Sequence, residues 1–220
     1  MQTNLDQFSE TTSTDAFALQ NHKLLKVRLD QVTILAKLGS MVAYQGDVTF
    51  EHAGGGLGRL MKKVATGEGQ SLMTISGQGE VFLADSAQDI HLLQLQDDRI
   101  TVNGRNVLAF DHGIDWDIER VKSVSGMMGG GLFNTKLEGT GCVAVLTDGP
   151  PVRLDVAQAP TFADAQAAVA WSAAVTTSLK TDIKLKSLVG LGSGETFQMA
   201  FGGQGWVLVQ PSEGRVTLTH

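Results

Sequence analysis

The sequence predicts an all-β protein made of three copies of one unit of roughly sixty residues. Two short markers recur in the same order along the chain, and each keeps nearly the same period. Glycine is abundant, at 26 residues, and proline is scarce, at 4, which favours many tight turns and bulges between short strands. We therefore expect three similar β units in tandem.

The first marker is an apolar-apolar-Ala-aromatic tetrapeptide that ends at Tyr44, Phe110 and Trp171, with spacings of 66 and 61 residues. The second marker is Gly-x-Gly before an apolar strand, with spacings of 62 and 64 residues, and it begins at Gly77, Gly139 and Gly203. Two independent markers with one period predict a repeat. We expect a flexible tail over residues 1–22 and one compact domain whose units span approximately 23–90, 91–150 and 151–220.

Inside each unit the residue pattern is typical of strands. Ile114, Trp116 and Ile118 alternate with acidic residues, as in a strand with one solvated face. The residues before each Gly-x-Gly are expected to form the first arm of a hairpin, and the apolar strand after it the second. Asn103-Gly104 is a signal for a type I′ hairpin turn.

Two segments have some helical character. Residues 57–65 carry apolar side chains at helical spacing, with basic residues between them, and predict a short helix. Residues 162–175 are rich in alanine, which favours a helix, but the aromatic marker within them aligns with two strand-like segments. We therefore predict a strand there.

Composition limits the classes of function. The net charge of −6 disfavours binding to a phosphate backbone, and no basic cluster contains aromatic residues. A single cysteine, Cys142, excludes an intramolecular disulfide, fits a reducing compartment, and lies in an apolar run that predicts a small buried side chain. The chain lacks a long apolar span, and its first twenty residues contain no Lys or Arg, so we expect a cytoplasmic protein.

Glycine-rich loops separate the two markers within each unit. A phosphate-binding loop is disfavoured because Gly58 is followed by Arg59 and Leu60, whereas such a loop ends in Gly-Lys-Ser/Thr. The loops also contain apolar residues, which are typical of contact surfaces when exposed. The candidate interaction residues are Gly54, Gly55, Gly56, Leu57, Met127, Met128, Gly129, Gly130, Leu188 and Leu191.

The search for a catalytic site finds no recognisable arrangement. None of the five histidines has the spacing of a metal site, and no serine lies in a Gly-x-Ser-x-Gly elbow. The acidic residues of 111–119 are best explained as the solvated face of a strand. We therefore expect no catalytic residues, no metal, no cofactor and no enzymatic activity.

The order of the motifs resembles the altered-inheritance-of-mitochondria protein 24 family over about residues 24–210. The resemblance is carried by Met41–Tyr44, a Gly-Gly-Gly-Leu loop, Thr66-Gly-Glu68, the three Gly-x-Gly segments, Gly130–Phe133, and the markers ending at Phe110 and Trp171. It implies three tandem β-sandwich (double-stranded β-helix-like) units related in fold to the tryptophan RNA-binding attenuation protein. It also implies a homotrimer that closes a ring of nine units. Because the first twenty residues do not have the composition of a mitochondrial presequence, we expect a bacterial member of the family.

The function that we expect is that of a non-enzymatic, oligomeric structural or interaction protein, a scaffold at a membrane or on a protein complex. Membrane contact would be peripheral only, and the protein partner is open. One alternative is a small-ligand binding module with pockets between the β units, and a further alternative is an RNA-binding ring. We do not expect nucleic acid as a partner, because the acidic chain lacks a regular array of Lys and Arg.

Overall fold

A computed structural model describes residues 4–52, 71–120, 133–180 and 198–212 of the 220-residue chain. These residues form fifteen strands and two short 3-10 turns, at Leu5–Phe8 and Gly104–Asn106, which confirms the all-β class. The strands are β1 Phe17–Asn21, β2 Leu24–Arg28, β3 Ile34–Lys37, β4 Met41–His52, β5 Leu72–Leu83, β6 Asp89–Asn103, β7 Val107–Asp111, β8 Asp115–Arg120, β9 Phe133–Thr147, β10 Val152–Asp155, β11 Thr161–Asp164, β12 Ala168–Ser172, β13 Val175–Lys180, β14 Gln198–Gly203 and β15 Trp206–Val209.

The strands form two antiparallel sheets. Twelve belong to the first sheet, in the order β1-β2-β5-β3-β7-β9-β6-β12-β15-β10, with β4 paired to β5 and β8 paired to β9. The other three form a second sheet in the order β11-β14-β13. All of the described pairings are antiparallel, so short connections can link neighbouring strands.

The same pairing scheme occurs in three successive groups of strands. In the first group, β2 to β5, the long strand β5 pairs with β2, β3 and β4. In the second, β6 to β9, the long strand β9 pairs with β6, β7 and β8. In the third, β10 to β15, β15 pairs with β10 and β12, whereas β14 pairs with β11 and β13.

The Gly-x-Gly segments lie within long strands rather than at hairpin turns in the first two groups, so the hairpin prediction is wrong there. Gly77 and Gly79 have φ of +122° and +151°, and a Cβ on Gly79 would collide with the carbonyl oxygen of Gln45. These glycines let β5 exchange its partner β3 for β2 on one side while β4 stays paired on the other. In the third group the same position divides β14 from β15.

Two junctions join the groups, and both follow one rule. At the first, β3 pairs with β7 in the register Ile34↔Asp111, Leu35↔Phe110 and Ala36↔Ala109. At the second, β6 pairs with β12 in the register Ile100↔Ser172, Thr101↔Trp171 and Val102↔Ala170. In each case a strand of one group pairs with the aromatic-marker strand of the next group.

Buried side chains form three apolar clusters, and the third includes residues of both sheets. The first cluster contains Leu29, Ile34 and Leu108, and the second contains Ile100, Phe110 and Val169. The third includes Trp171 and Phe201, whose rings meet edge to face at 5.6 Å. Because Leu108 of β7 and Val169 of β12 belong to the cluster of the preceding group, the junctions are part of the core.

Three further predictions can be compared with the structure. The tail predicted over 1–22 is wrong at Phe17–Asn21, because this segment pairs with β2 as strand β1. Asn103-Gly104 does not form a hairpin: β9 lies between β6 and β7, and the Asn103 side chain accepts a bond from Arg105 N in a 3-10 turn. The strand predicted within 162–175 is confirmed as β12, and the helix predicted at 57–65 lies outside the described residues.

Candidate functional site

The start of β4 exposes apolar side chains along a sheet edge. Among the described strands β4 pairs only with β5, so its other edge faces away from the sheet. Val42 is 61% exposed and Tyr44 is 49% exposed, and Met41 beside them is also exposed. The Tyr44 ring meets Phe50 edge to face at 5.3 Å, which orients it along the strand.

The matching residues of β7 and β12 are buried. Val42 has the same place in the tetrapeptide marker as Leu108 and Val169, and both of these are fully buried. Tyr44 likewise matches Phe110 and Trp171, which are buried. Each of the three strands also has an irregular register at this second residue, between Met41 and Ala43 and at the equivalent positions. The strand geometry is therefore the same, and the difference is that β7 and β12 each have a second neighbouring strand, whereas β4 has one among the described strands.

The strand β11 also lies at the edge of a sheet. Among the described strands it pairs only with β14, although its counterparts β3 and β6 are each covered by the next group. Phe162 of β11 is 43% exposed, whereas Leu35 and Thr101 at the same position are buried. Among the described strands, β4 and β11 are therefore each paired on one side only.

A buried lysine lies next to the β4 edge. Lys26 Nζ is 2.8 Å from Glu80 Oε1 and 3.0 Å from Glu10 Oε2, and Gln45 Nε2 donates to Glu10 Oε1 at 2.6 Å. Hydrogen bonding to Glu80 raises the pKa of Lys26 despite its burial, and Lys26 in turn lowers the pKa of Glu10. This cluster fixes the N-terminal segment against β2, β4 and β5.

The predicted burial of Cys142 is confirmed. Burial first, and then the charge of Asp111, raise the pKa of the Cys142 thiol to about 12. Asp111 Oδ2 accepts a hydrogen bond from the backbone N of Cys142 at 2.6 Å, so its carboxylate has a structural partner. A thiol with such a pKa is almost entirely protonated at neutral pH and is a poor nucleophile.

The other titratable candidates have structural surroundings. His91 hydrogen-bonds Thr147 Oγ1 at 2.9 Å, and desolvation lowers its pKa. The acidic residues of β8 lie on its exposed face, where Glu119 is 3.0 Å from Lys136 Nζ. Within the described residues, no group of three or more His, Cys, Asp or Glu side chains is placed to hold a metal ion.

The glycine-rich loops predicted as interaction surfaces lie outside the described residues. This applies to Gly54 to Leu57, to Met127 to Gly130, and to Leu188 and Leu191. The exposed start of β4 was not predicted from the sequence. The signal that could have found it is the marker itself, because among the described strands only the occurrences in β7 and β12 pair with a strand of the group before them.

The fold defines a class of all-β protein with extended antiparallel sheets. A family profile described as Mitochondrial biogenesis AIM24 matches residues 17–212, and the chain belongs to this family. The protein SPYM3_0169 from Streptococcus pyogenes has the same fold, with a TM-score of 0.72 and 23% identity over 89% of this chain and 92% of that chain. No protein with a curated description matches the chain.

The sequence itself also contains no apolar stretch long enough to span a membrane. Over the described ranges, no helix has the length and apolar character needed to cross a membrane.

Proposed function

We propose that this chain is a non-enzymatic structural or interaction protein that assembles with copies of itself, as a homotrimeric scaffold in the cytoplasm. The observation that carries the proposal is the exposure of Val42 and Tyr44, whose counterparts in β7 and β12 are buried by a neighbouring group. Exposed apolar residues on a strand edge favour association, because soluble proteins rarely leave such an edge open.

The proposal includes a finer architecture, in which three tandem units of the type found in the tryptophan RNA-binding attenuation protein make up each chain. The recurrence of one strand-pairing scheme in three successive groups supports it. Three chains of three units would give a closed ring of nine, which leaves no edge uncovered. Such a ring would offer a broad surface for a protein complex or for peripheral contact with a membrane.

The test of the proposal is the mass of the wild-type protein in solution. Size-exclusion chromatography with light scattering should give about 70 kDa, three times the 23.3 kDa chain. The mass should fall on dilution if the association is reversible. A constant mass of 23.3 kDa over the micromolar range would contradict the proposal.

A further inference from the structure

We infer that one face of the first sheet is a binding site for an acidic peptide, and that the chain's own N-terminal segment occupies this site. The segment consists of residues 4–16 and is called the strap below. Side chains of β1, β2 and β4 hold the strap around Glu10. The partner is an extended acidic segment of another protein, with a glutamate in the place of Glu10. The inference does not depend on the proposed self-association.

The carboxylate of Glu10 is held at both of its oxygens. Lys26 Nζ lies 3.0 Å from Glu10 Oε2, and Gln45 Nε2 donates to Glu10 Oε1 at 2.6 Å. A neutral glutamine at the same place would direct its own NH₂ group at one of these two donors, so it could not satisfy both. The pair of donors therefore selects an ionised carboxylate.

The backbone on either side of Glu10 is held by a third side chain. Gln20 Oε1 accepts a hydrogen bond from Thr11 N at 2.8 Å, and Gln20 Nε2 donates to Ser9 O at 3.0 Å. Both bonds are made to main-chain atoms, so they do not depend on the side chains that flank the glutamate. Main-chain bonds combined with one selected side chain are typical of sites that bind extended peptides.

The site keeps its charged group when the strap leaves. Lys26 Nζ also lies 2.8 Å from Glu80 Oε1 on β5, and this bond contributes more to the raised pKa of Lys26 than the contact with Glu10 does. The Lys26 side chain is only 7% exposed, and an ammonium so buried needs a partner. Glu80 remains that partner in the open state, so the site is preorganised for a second carboxylate.

The strap is attached to the sheet by polar contacts alone. None of residues 4–16 is buried, and the Glu10 side chain is 44% exposed. Polar contacts near the surface contribute little each, and ordering the strap costs conformational entropy. We therefore expect the strap to open while the sheet beneath it stays folded.

Charge defines the class of the partner. The strap has three carboxylates and no basic side chain. Beneath it β2 carries Lys26 and Arg28, and the Arg28 guanidinium donates to Thr14 O at 3.3 Å. An acidic peptide would meet the same two cations. The strap of a second copy would gain no new contact, because Ala16 is joined directly to β1 and each strap reaches its own site at a high effective concentration.

The experiment measures binding of a fluorescent peptide, with the sequence of residues 4–16, to the full-length chain by anisotropy. The wild type should bind this peptide weakly, because its own strap competes. Glu10→Ala removes the competing carboxylate, so this variant should bind the peptide about tenfold more tightly than the wild type does. Asp6→Ala is the matched control, because it removes the same charge from an exposed position outside the clamp. It should bind like the wild type.

Two further measurements test the clamp itself. The peptide with the substitution Glu10→Gln should bind the Glu10→Ala protein about tenfold more weakly than the unchanged peptide does. Adding Gln45→Ala to the Glu10→Ala protein should also weaken binding, and circular dichroism should show an intact fold because Gln45 is exposed. Equal affinity of the wild type and Glu10→Ala, or of the two peptides, would overturn the inference. Absence of binding to Glu10→Ala up to about 1 mM peptide would also overturn it.

Discussion

Phe110 of β7 lies directly opposite Leu35 of β3, and both side chains are buried where the first two groups of strands join. The same arrangement recurs where Trp171 lies opposite Thr101. These junctions are built like the interior of a group, with cross-strand pairs on one side and an apolar cluster on the other. The chain therefore holds its three groups together by the same interactions that form each group.

Loss of the Leu108 side chain should destabilise the chain strongly. Leu108 is fully buried in the first cluster, and its truncation in Leu108→Ala should lower the free energy of unfolding by about 2–5 kcal/mol. Leu19→Ala on β1 is the matched control, because Leu19 is exposed. This substitution should change the free energy of unfolding by less than about 1 kcal/mol. Urea denaturation followed by circular dichroism measures both, and equal effects would argue against a buried junction.

The glycine at position 79 should not tolerate a side chain. Gly79→Ala would place Cβ against the carbonyl oxygen of Gln45 at a φ of +151°, and we expect a loss of roughly 3 kcal/mol or more. Gly113→Ala is the control, because no atom lies within 4 Å of its Cβ position. Thermal melting should separate the two variants clearly. A melting temperature for Gly79→Ala as high as that for Gly113→Ala would contradict the close approach of β4 and β5 at Gly79.

The carboxylate of Glu10 should make stability depend on acid pH. Its pKa is lowered below 4.5 in the folded chain, so it stabilises the fold above that pH. The stabilisation is lost as the pH falls through the lower folded pKa. Urea midpoints between pH 6 and pH 3 should therefore fall more for the wild type than for Glu10→Gln. Parallel curves for the two proteins would show that the Glu10–Lys26 contact contributes nothing.

The ammonium group of Lys26 should act in the opposite direction at high pH. Its pKa is raised above 10.5, so the contribution of the charged form is complete below that pH and is lost as the pH rises through the folded pKa. Lys26→Met removes the charge and leaves the Glu80 carboxylate, 2.8 Å away, without this partner. Its unfolding free energy at pH 7 should be lower than that of the wild type. Stability equal to the wild type at pH 7 would contradict this.

The thiol of Cys142 should be protected in the folded protein. With a pKa of about 12 and a buried side chain, it should react with an aromatic disulfide reagent at pH 8 far more slowly than the same thiol in urea. A single slow reaction that accelerates at least tenfold on unfolding is the expected result. Fast stoichiometric reaction in the absence of urea would show that the β9 core opens readily.

The sequence predicted the strands better than it predicted their connections. The markers at Phe110 and Trp171 located β7 and β12, because a buried aromatic and a small apolar neighbour occupy equivalent places in both strands. The Gly-x-Gly segments were found, but their role as turns was wrong in β5 and β9. A glycine that permits a bend inside a paired strand has the same local pattern as one that ends a strand, and only the partner strand decides between them.

The candidate site was harder to predict for a related reason. Met41-Val-Ala-Tyr44 resembles Ala168-Val-Ala-Trp171 residue by residue, yet the first is exposed and the second buried. Exposure depends on which strand lies alongside: β12 has β6 as a second neighbour, whereas β4 has β5 alone among the described strands. This is a property of the topology and not of the segment. The glycine-rich loops attracted attention through their composition, whereas the edges carry ordinary strand residues.

Hydrogen exchange at the start of β4 tests the central claim, self-association, most directly. A peptide that covers residues 41–45 should exchange slowly at a concentration where the protein is assembled, and much faster after dilution to the monomer. Residues 107–111 of the internal junction should stay protected at both concentrations, since β3 and β9 cover both sides of β7. Rapid exchange of residues 41–45 at both concentrations would contradict assembly through the start of β4.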